Sequence, residues 1–217
     1  CLLAGEKLQV AVESMETSYH EKDLREYEVT KPISLDQLDP IALVRLKEEG
    51  VCFFELPEAL FDLDFPGHYL RRIKGLTLSI PCVSGPFASV NAKLTLVSSK
   101  IRSSATVTTS YTDAANYAEQ TGVTESIVTS SGQDDSGLFQ FNFADPKYLP
   151  FEGRGIVSVW KLELTSPYPA FDPRSISDLV MNLRYTARDG GSVLAGDAKD
   201  AIETTLNAAT TGVTDAS

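Results

Sequence analysis

Residues 69–87 read YLRRIKGLTLSIPCVSGPF, and the centre of this stretch decides the fold. In the segment LTLSI, residues 76–80, apolar and polar side chains alternate, as they do in a β-strand with one face in the core. Residues 157–164, VSVWKLEL, show the same alternation. Both runs lead into segments rich in proline and serine, which are turn-forming residues. The pattern predicts a mainly β chain with loops at the ends of two packed sheets.

Strand-like runs recur along the 217 residues at a spacing typical of a two-sheet sandwich. They are predicted near residues 51–56, 70–80, 88–97, 105–109, 123–129, 137–143, 155–164 and 177–186. The predicted architecture is therefore an antiparallel two-sheet β-sandwich. Trp160, the only tryptophan of the chain, is expected in its core.

Helical patterns flank the predicted sandwich. Residues 2–28 place apolar side chains three to five positions apart in a charged background, which predicts an N-terminal amphipathic helix with one apolar stripe. Ser34 is expected to cap a short turn toward Gln37, and a helix over 40–48 is expected to end at Gly50. A short helix is also predicted in the C-terminal tail.

These patterns divide the chain into three parts. Residues 1–50 form a helical segment, residues 51–191 form the sandwich, and residues 192–217 form a tail that is a short helix or disordered. The first residue is Cys1 rather than methionine, so we expect a fragment of a longer protein.

Charge and composition disfavour several classes of partner. The net charge is −11, from 30 acidic and 19 basic residues, without a block of lysine or arginine. Binding to nucleic acid is therefore not expected, nor is binding to an anionic membrane surface. No apolar run approaches the roughly 20 residues that span a bilayer, and no classical signal peptide opens this fragment. Cys52 and Cys82 lie in apolar runs and are expected to be buried thiols.

The sequence predicts no catalytic residue, no metal site and no cofactor. His20 and His68 are the only histidines, and no pattern brings either to a nucleophile. Residues 133–137, QDDSG, contain hard-cation ligands but lack the spacing of a calcium loop, so a hydrogen-bonded turn is favoured. A hydrolase that uses Asp62 or Asp64 would need a second carboxylate in a pocket. The favoured interpretation makes both aspartates polar positions of an extended run.

Arg71, Arg72 and Lys74 form a basic group in an acidic chain. Pairing with local carboxylates is the favoured interpretation. The alternative is that these side chains orient the acidic turn at Asp134 and Asp135 through bidentate contacts.

Four ordered segments together resemble a known family. They are residues 66–87 (PGHYLRRIKGLTLSIPCVSGPF), 128–153 (VTSSGQDDSGLFQFNFADPKYLPFEG), 157–164 (VSVWKLEL) and 176–191 (ISDLVMNLRYTARDGG). They resemble the C-terminal part of the TcA subunit of insecticidal Tc toxin complexes. Residues 5–43 are similar to the segment that leads from the channel helices of TcA into this domain.

The resemblance implies a TcB-binding assembly module that docks the TcB–TcC cocoon onto a pentameric translocation channel. The implied partners are the β-propeller of TcB and other TcA protomers, and the implied location is secreted or extracellular, within the toxin complex. This fragment is not expected to contact a membrane directly. A carbohydrate-binding β-sandwich that uses Tyr111, Tyr148 or Trp160 is the alternative function.

Candidate partner-binding residues fall in two segments, both within the second motif or directly after it. Asp134 and Asp135 belong to a predicted end loop, and Tyr148, Phe151 and Arg154 belong to an aromatic and basic run typical of interface hot spots. Alternatively, Tyr148, Leu149 and Phe151 close the base of the sandwich. Several modest contacts repeated on each copy would sum to high avidity.

Overall fold

The computed structural model describes residues 26–83, 90–120, 125–128, 138–142, 151–164 and 172–214 of the chain, together with isolated positions near the N-terminus. The strands are β1 (Tyr27–Ser34), β2 (Val51–Leu56), β3 (His68–Pro81), β4 (Ala92–Arg102), β5 (Tyr117–Glu119), β6 (Glu125–Val128), β7 (Leu138–Asn142), β8 (Val157–Leu164) and β9 (Val180–Asp189). The helices are α1 (Leu35–Leu38), α2 (Pro40–Glu49), α3 (Glu58–Asp62) and α4 (Gly191–Thr214).

Two antiparallel sheets form the body of the domain. The first has the order β1-β9-β3-β7, and the second has the order β2-β8-β4-β5, with β6 also paired to β4. In the first sheet β9 lies between β1 and β3 and pairs with both along most of its length. This mainly β architecture, with few helices and a C-terminal helix, confirms the predicted fold class.

The strands give the sandwich two ends, which we call proximal and distal. At the proximal end Tyr27 of β1 lies opposite Ala187, and at the distal end Ser34 lies opposite Val180. An isolated bridge from Arg72 to Gly155 joins the two sheets at the proximal end. The other strand ends are proximal at Leu56, His68, Arg102 and Val157, and distal at Val51, Pro81, Ala92 and Leu164.

Alternation along the strands builds one large apolar core between the sheets. Trp160 of the second sheet and Leu78 and Leu183 of the first sheet are all 0% exposed and belong to one core cluster. Cys52 and Cys82 are buried free thiols, as predicted. The core therefore contains the alternating segments that predicted the fold.

Helices α1 and α2 cross from one sheet to the other at the distal end. The Ser34 hydroxyl accepts a hydrogen bond from the Gln37 amide at 3.3 Å, and the Asp39 carboxylate caps α2 through the amides of Ile41 and Ala42. Gly50 ends α2, donating its amide to the Leu46 carbonyl at 3.1 Å. These caps confirm the predicted turn and helix.

Three local predictions differ from the structure. A continuous helix over 2–28 is not evident. Before residue 26 the structure describes only five positions, all helical: Gly5, Leu8, Gln9, Val12 and Met15. The chain is already a strand from Tyr27. Residues 105–109 are not a strand, because Ser104 and Asn116 side chains bind the amides of Thr106 and Thr108 and replace strand pairing. Residues 58–62 are helical rather than extended.

Helix α4 packs across the proximal end. It is longer than the short tail helix predicted from the sequence, and it buries Leu194 and Ala198 against Tyr111 in a second apolar cluster. Within the described parts of the chain, no helix combines the length and apolarity that crossing a bilayer would require.

Candidate partner-binding site

Phe151 and Arg154 lie in one turn at the proximal end. The Phe151 side chain is buried at 1% exposure, and its ring meets Trp160 edge to face, with centroids 4.9 Å apart. Its φ of 66° is uncommon for a bulky residue, and the close packing of the ring holds it there. For Phe151 the structure thus matches the interpretation in which this segment closes the sandwich.

Backbone hydrogen bonds fasten this turn to β3. The Ile73 amide donates to the Arg154 carbonyl at 2.7 Å, and the Gly153 amide donates to the Ile73 carbonyl at 2.8 Å. Arg154 itself is half-buried. The turn is therefore a rigid part of the proximal end, and a contact between Arg154 and a partner stays a prediction.

Asp134, Asp135 and Tyr148 lie outside the described residues. The strands that flank the segment 129–137 are described, and both meet their partners at the distal end. Val128 lies opposite Lys93, and Leu138 lies opposite Pro81. The described residues on both sides of this segment therefore lie at the opposite end of the sandwich from Phe151 and Arg154, and a role of Asp134, Asp135 and Tyr148 in partner binding stays a prediction.

The proximal end also contains a buried ionic network. Its charged members are Glu58 and Asp62 of α3, Arg71 of β3 and Arg102 of β4, with exposures between 1% and 7%. Arg71 donates to Asp62 at 2.6 Å, to Glu58 at 3.4 Å and to the Phe65 carbonyl at 2.8 Å. Two positive and two negative charges thereby compensate one another, which buried charges require.

Arg102 links the network to the loop that follows β4. It binds the Glu58 carboxylate with two nitrogens, at 2.9 and 2.6 Å, and donates to the Tyr111 carbonyl at 2.6 Å. The Tyr111 hydroxyl donates to Asp62 at 2.7 Å, and the Tyr117 hydroxyl donates to Glu58. The Tyr111 ring lies 4.0 Å below the Arg102 guanidinium. The loop over 103–116 is therefore held by charge-assisted contacts at its base.

Burial sets the protonation preferences of this network. It raises the pKa of the Asp62 carboxyl, against the attraction of Arg71. Burial, together with the nearby Glu58 carboxylate, raises the pKa of both Tyr111 and Tyr117, so the phenols remain donors. Burial opposes the charge of Arg102, but hydrogen bonds from Arg102 to Glu58 raise its pKa overall. The arrangement favours fixed hydrogen bonds over proton transfer.

Part of this network could have been found in the sequence. Glu58 and Asp62 are four residues apart, so a helix places both carboxylates on one face. The assignment of residues 61–65 to an extended run hid this spacing. Pairing of Arg71 with local carboxylates was the favoured interpretation, and it is confirmed. Lys74 pairs with Glu28 on the surface.

The side chains proposed for the alternative functions are mostly enclosed. Asp62 is 1% exposed within the network, and Asp64 pairs with Lys31 at the surface. Trp160 and Tyr111 are buried, so neither ring can stack on a sugar in this conformation. Among the residues that the structure describes, no group of three or more His, Cys, Asp or Glu side chains is placed to hold a metal ion.

Comparison with known proteins gives one family. Residues 1–187 match the family described as the Tc toxin complex TcA C-terminal TcB-binding domain. Toxin subunit YenA2 of Yersinia entomophaga is 36% identical in an alignment 206 residues long, and the alignment covers 89% of this chain. The chain spans 15% of the length of that relative. A cryo-EM structure of Yersinia pseudotuberculosis TcaA-TcaB aligns with 86% of this chain and 11% of that chain, at 23% identity and a TM-score of 0.49.

Proposed function

The chain belongs to the family of TcA C-terminal TcB-binding domains of Tc toxin complexes, and from this membership we propose that it docks the TcB component onto a TcA subunit. The observation that carries the proposal is the extent of the match. Residues 1–187 include every strand of the second sheet and nearly all of the first. The family is an assembly domain, and the buried, charge-compensated network fits a structural role better than a catalytic one.

We propose further that the parent subunit is one of five around a translocation channel. The described positions near the N-terminus support assembly with other chains. Leu8, Val12 and Met15 are helical and 66%, 44% and 71% exposed, and their spacing of four and three residues puts them on one face. An exposed apolar stripe of this kind suits packing against other helices. In this proposal the toxin complex acts outside the producing cell.

Binding to a recombinant TcB–TcC complex tests the docking function. The 217-residue chain is immobilised, and the complex is titrated over it in biolayer interferometry. We expect saturable binding by the wild-type chain. A variant with Asp134→Lys and Asp135→Lys should bind more weakly, because the acidic loop is proposed to meet the partner.

The matched control carries the same change of charge on α4, as Asp197→Lys and Asp200→Lys. This control should bind like the wild type if loop position, rather than net charge, matters. No saturable binding by the wild-type chain would contradict the docking function. Equal loss in both variants would instead indicate a nonspecific charge effect.

A further inference from the structure

We infer that TcB meets the distal end of the sandwich, on a surface formed by Ile41, Val44, Val83 and Arg174, which we call the distal face. The inference rests on the proposed docking function and adds which side of the domain is used. Three independent features carry it: where the chain joins the sandwich, what covers the proximal end, and what the distal face exposes.

The first feature is the direction from which the chain reaches the sandwich. The family is the C-terminal part of TcA, so the preceding subunit sequence connects through the N-terminal side of this domain. The chain joins the first sheet at Tyr27, which lies at the proximal end opposite Ala187. The 14 residues of β3 separate the two ends, by roughly 45 Å at about 3.3 Å per residue. A partner that approaches away from the rest of TcA therefore finds the distal end.

The second feature is α4, which covers part of the proximal end. Leu194 and Ala198 of α4 are fully buried in the cluster that contains Tyr111. The helix passes so close to the Gly67 turn that a β-carbon at this glycine would lie 2.7 Å from the Ala195 backbone. This part of the end is packed against the chain's own helix and is not available to a partner.

The third feature is the apolar outer side of α2. The inner side of α2 already buries Ala42, Leu43 and Leu46 in the core. On the outer side, Ile41 is 64% exposed and Val44 is 50% exposed, and the two are three residues apart on one face. The fold does not need these two side chains, whereas a docked protein would bury them.

Val83 and Arg174 extend this surface beside α2. The turn at Pro173–Ser175 contacts α2, and the Ser175 hydroxyl donates to the Val83 carbonyl at 3.0 Å. Val83 is 77% exposed, and Arg174, which directly precedes Ser175 in this turn, is also exposed. An apolar centre with an arginine at its edge is the composition that protein interfaces favour.

The distal face is preorganised by hydrogen bonds beneath it. The Ser34 hydroxyl donates to Asp178 at 2.6 Å, and the same carboxylate accepts from the Asp36 amide at 3.0 Å. The Leu35 amide donates to the Leu179 carbonyl at 2.9 Å. These contacts tie α1 to the segment before β9, so binding would cost little ordering of the face.

Two distal variants and one proximal control test the assignment. Val44→Lys and Arg174→Glu alter the distal face, and Val193→Lys alters an exposed valine on α4 at the proximal end. Val44 and Val193 are matched, since each is exposed on a helix and each has an acidic residue four positions later, Glu48 and Asp197. Affinity for the TcB–TcC complex is measured for each full 217-residue chain, and circular dichroism checks that each variant is folded.

We expect Val44→Lys and Arg174→Glu each to raise the dissociation constant at least about tenfold, as for central interface residues. Val193→Lys should stay within about twofold of the wild type. If the wild type binds and only Val193→Lys weakens binding, the distal assignment is wrong while the docking function stands. Unchanged affinity in both distal variants would also overturn it. A wild-type chain that does not bind would instead refute the docking function itself.

Discussion

Burial in the core raises the pKa of the Cys52 thiol, and this effect can be measured. The thiol is 0% exposed, and burial raises its pKa to about 12. Burial also raises the pKa of Cys82. Because the thiolate is the reactive form, both side chains should be inert toward alkylation in the folded chain.

We therefore predict that iodoacetamide at pH 8 leaves Cys52 and Cys82 unmodified in the native chain and modifies both in urea. Peptide mass spectrometry reports each site separately. Rapid modification of Cys52 in the native chain would mean that β2 opens far more often than its buried position implies.

Protonation of His68, at the proximal end, is expected to affect the stability of the fold. Its ring is stacked between Tyr27 and Phe65, with centroids 5.3 and 5.4 Å away. Burial, aided by the positive charge of Arg71 and opposed by Asp189, lowers its pKa. The folded state therefore binds fewer protons than the unfolded state below the unfolded pKa of about 6.5. The stability supplied by neutral His68 is full above that pH and is lost as the pH falls toward the folded pKa.

The prediction is that His68→Phe, which keeps a ring in the stack, loses less stability than the wild type between pH 7 and pH 5. Urea unfolding at several pH values measures this difference. His20→Gln is the control, since it removes the other histidine and should keep the wild-type slope. Parallel curves for the wild type and His68→Phe would exclude His68 as the titrating group.

For single residues, the sequence predicted which side chains are buried, but it predicted only part of the ion pairs. Trp160 and Cys52 were assignable to the core because each lies in an alternating or apolar run. The partners of Arg102 were not assignable, because Glu58 lies 44 residues away and meets it only after the sheets pack. Contacts across such separations depend on topology rather than on local pattern.

The buried ionic network joins helix α3 to strands β3 and β4. Arg102→Met should destabilise the chain by about 3–5 kcal/mol, because it leaves a buried Glu58 carboxylate without its main partner. Adding Glu58→Gln to Arg102→Met should recover part of that loss, since no uncompensated charge remains. Urea denaturation measures both. The account fails here if Arg102→Met costs less than about 1 kcal/mol, the worth of an exposed ion pair.

The contact of α4 with the Gly67 turn can be isolated with two glycines. Gly67 and Gly153 both have a positive φ, 84° and 77°, but of the two only Gly67 is placed so that an added β-carbon would meet another element. Gly153→Ala should cost about 1–2 kcal/mol for the left-handed conformation alone. Gly67→Ala should cost clearly more, because its β-carbon would displace the Ala195 backbone. Of the two variants, only Gly67→Ala should speed amide exchange in α4. Equal exchange rates of α4 in both variants would contradict the packing of α4 against the Gly67 turn.

Element types were predictable where one physical signal dominated. The alternating segments in β3 and β8 and the capped helix α2 were found because periodicity and capping act locally. β1 was missed because Tyr27–Ser34 includes charged residues and Pro32, which a sheet accepts on an edge strand. The predicted strand over 105–109 is wrong because the side chains of Ser104 and Asn116 accept hydrogen bonds from the amides of Thr106 and Thr108.

For the whole molecule, the strand pairing shows at which end of the sandwich each segment is attached, which the sequence pattern could not predict. The two candidate segments, at Asp134 and at Arg154, lie about 20 residues apart, within one motif or directly after it. The described strands place their anchors at opposite ends of the sandwich. Membership in the TcB-binding family supports the proposed partner, and the topology supports the proposed direction of approach.

The most direct test is hydrogen–deuterium exchange of the 217-residue chain, alone and with the TcB–TcC complex. The account predicts slower exchange on binding in residues 40–49 and 172–178 of the distal end. Residues 191–201 of α4 at the proximal end should exchange at an unchanged rate. Protection confined to α4 and the proximal turns, with none at the distal end, would contradict the account.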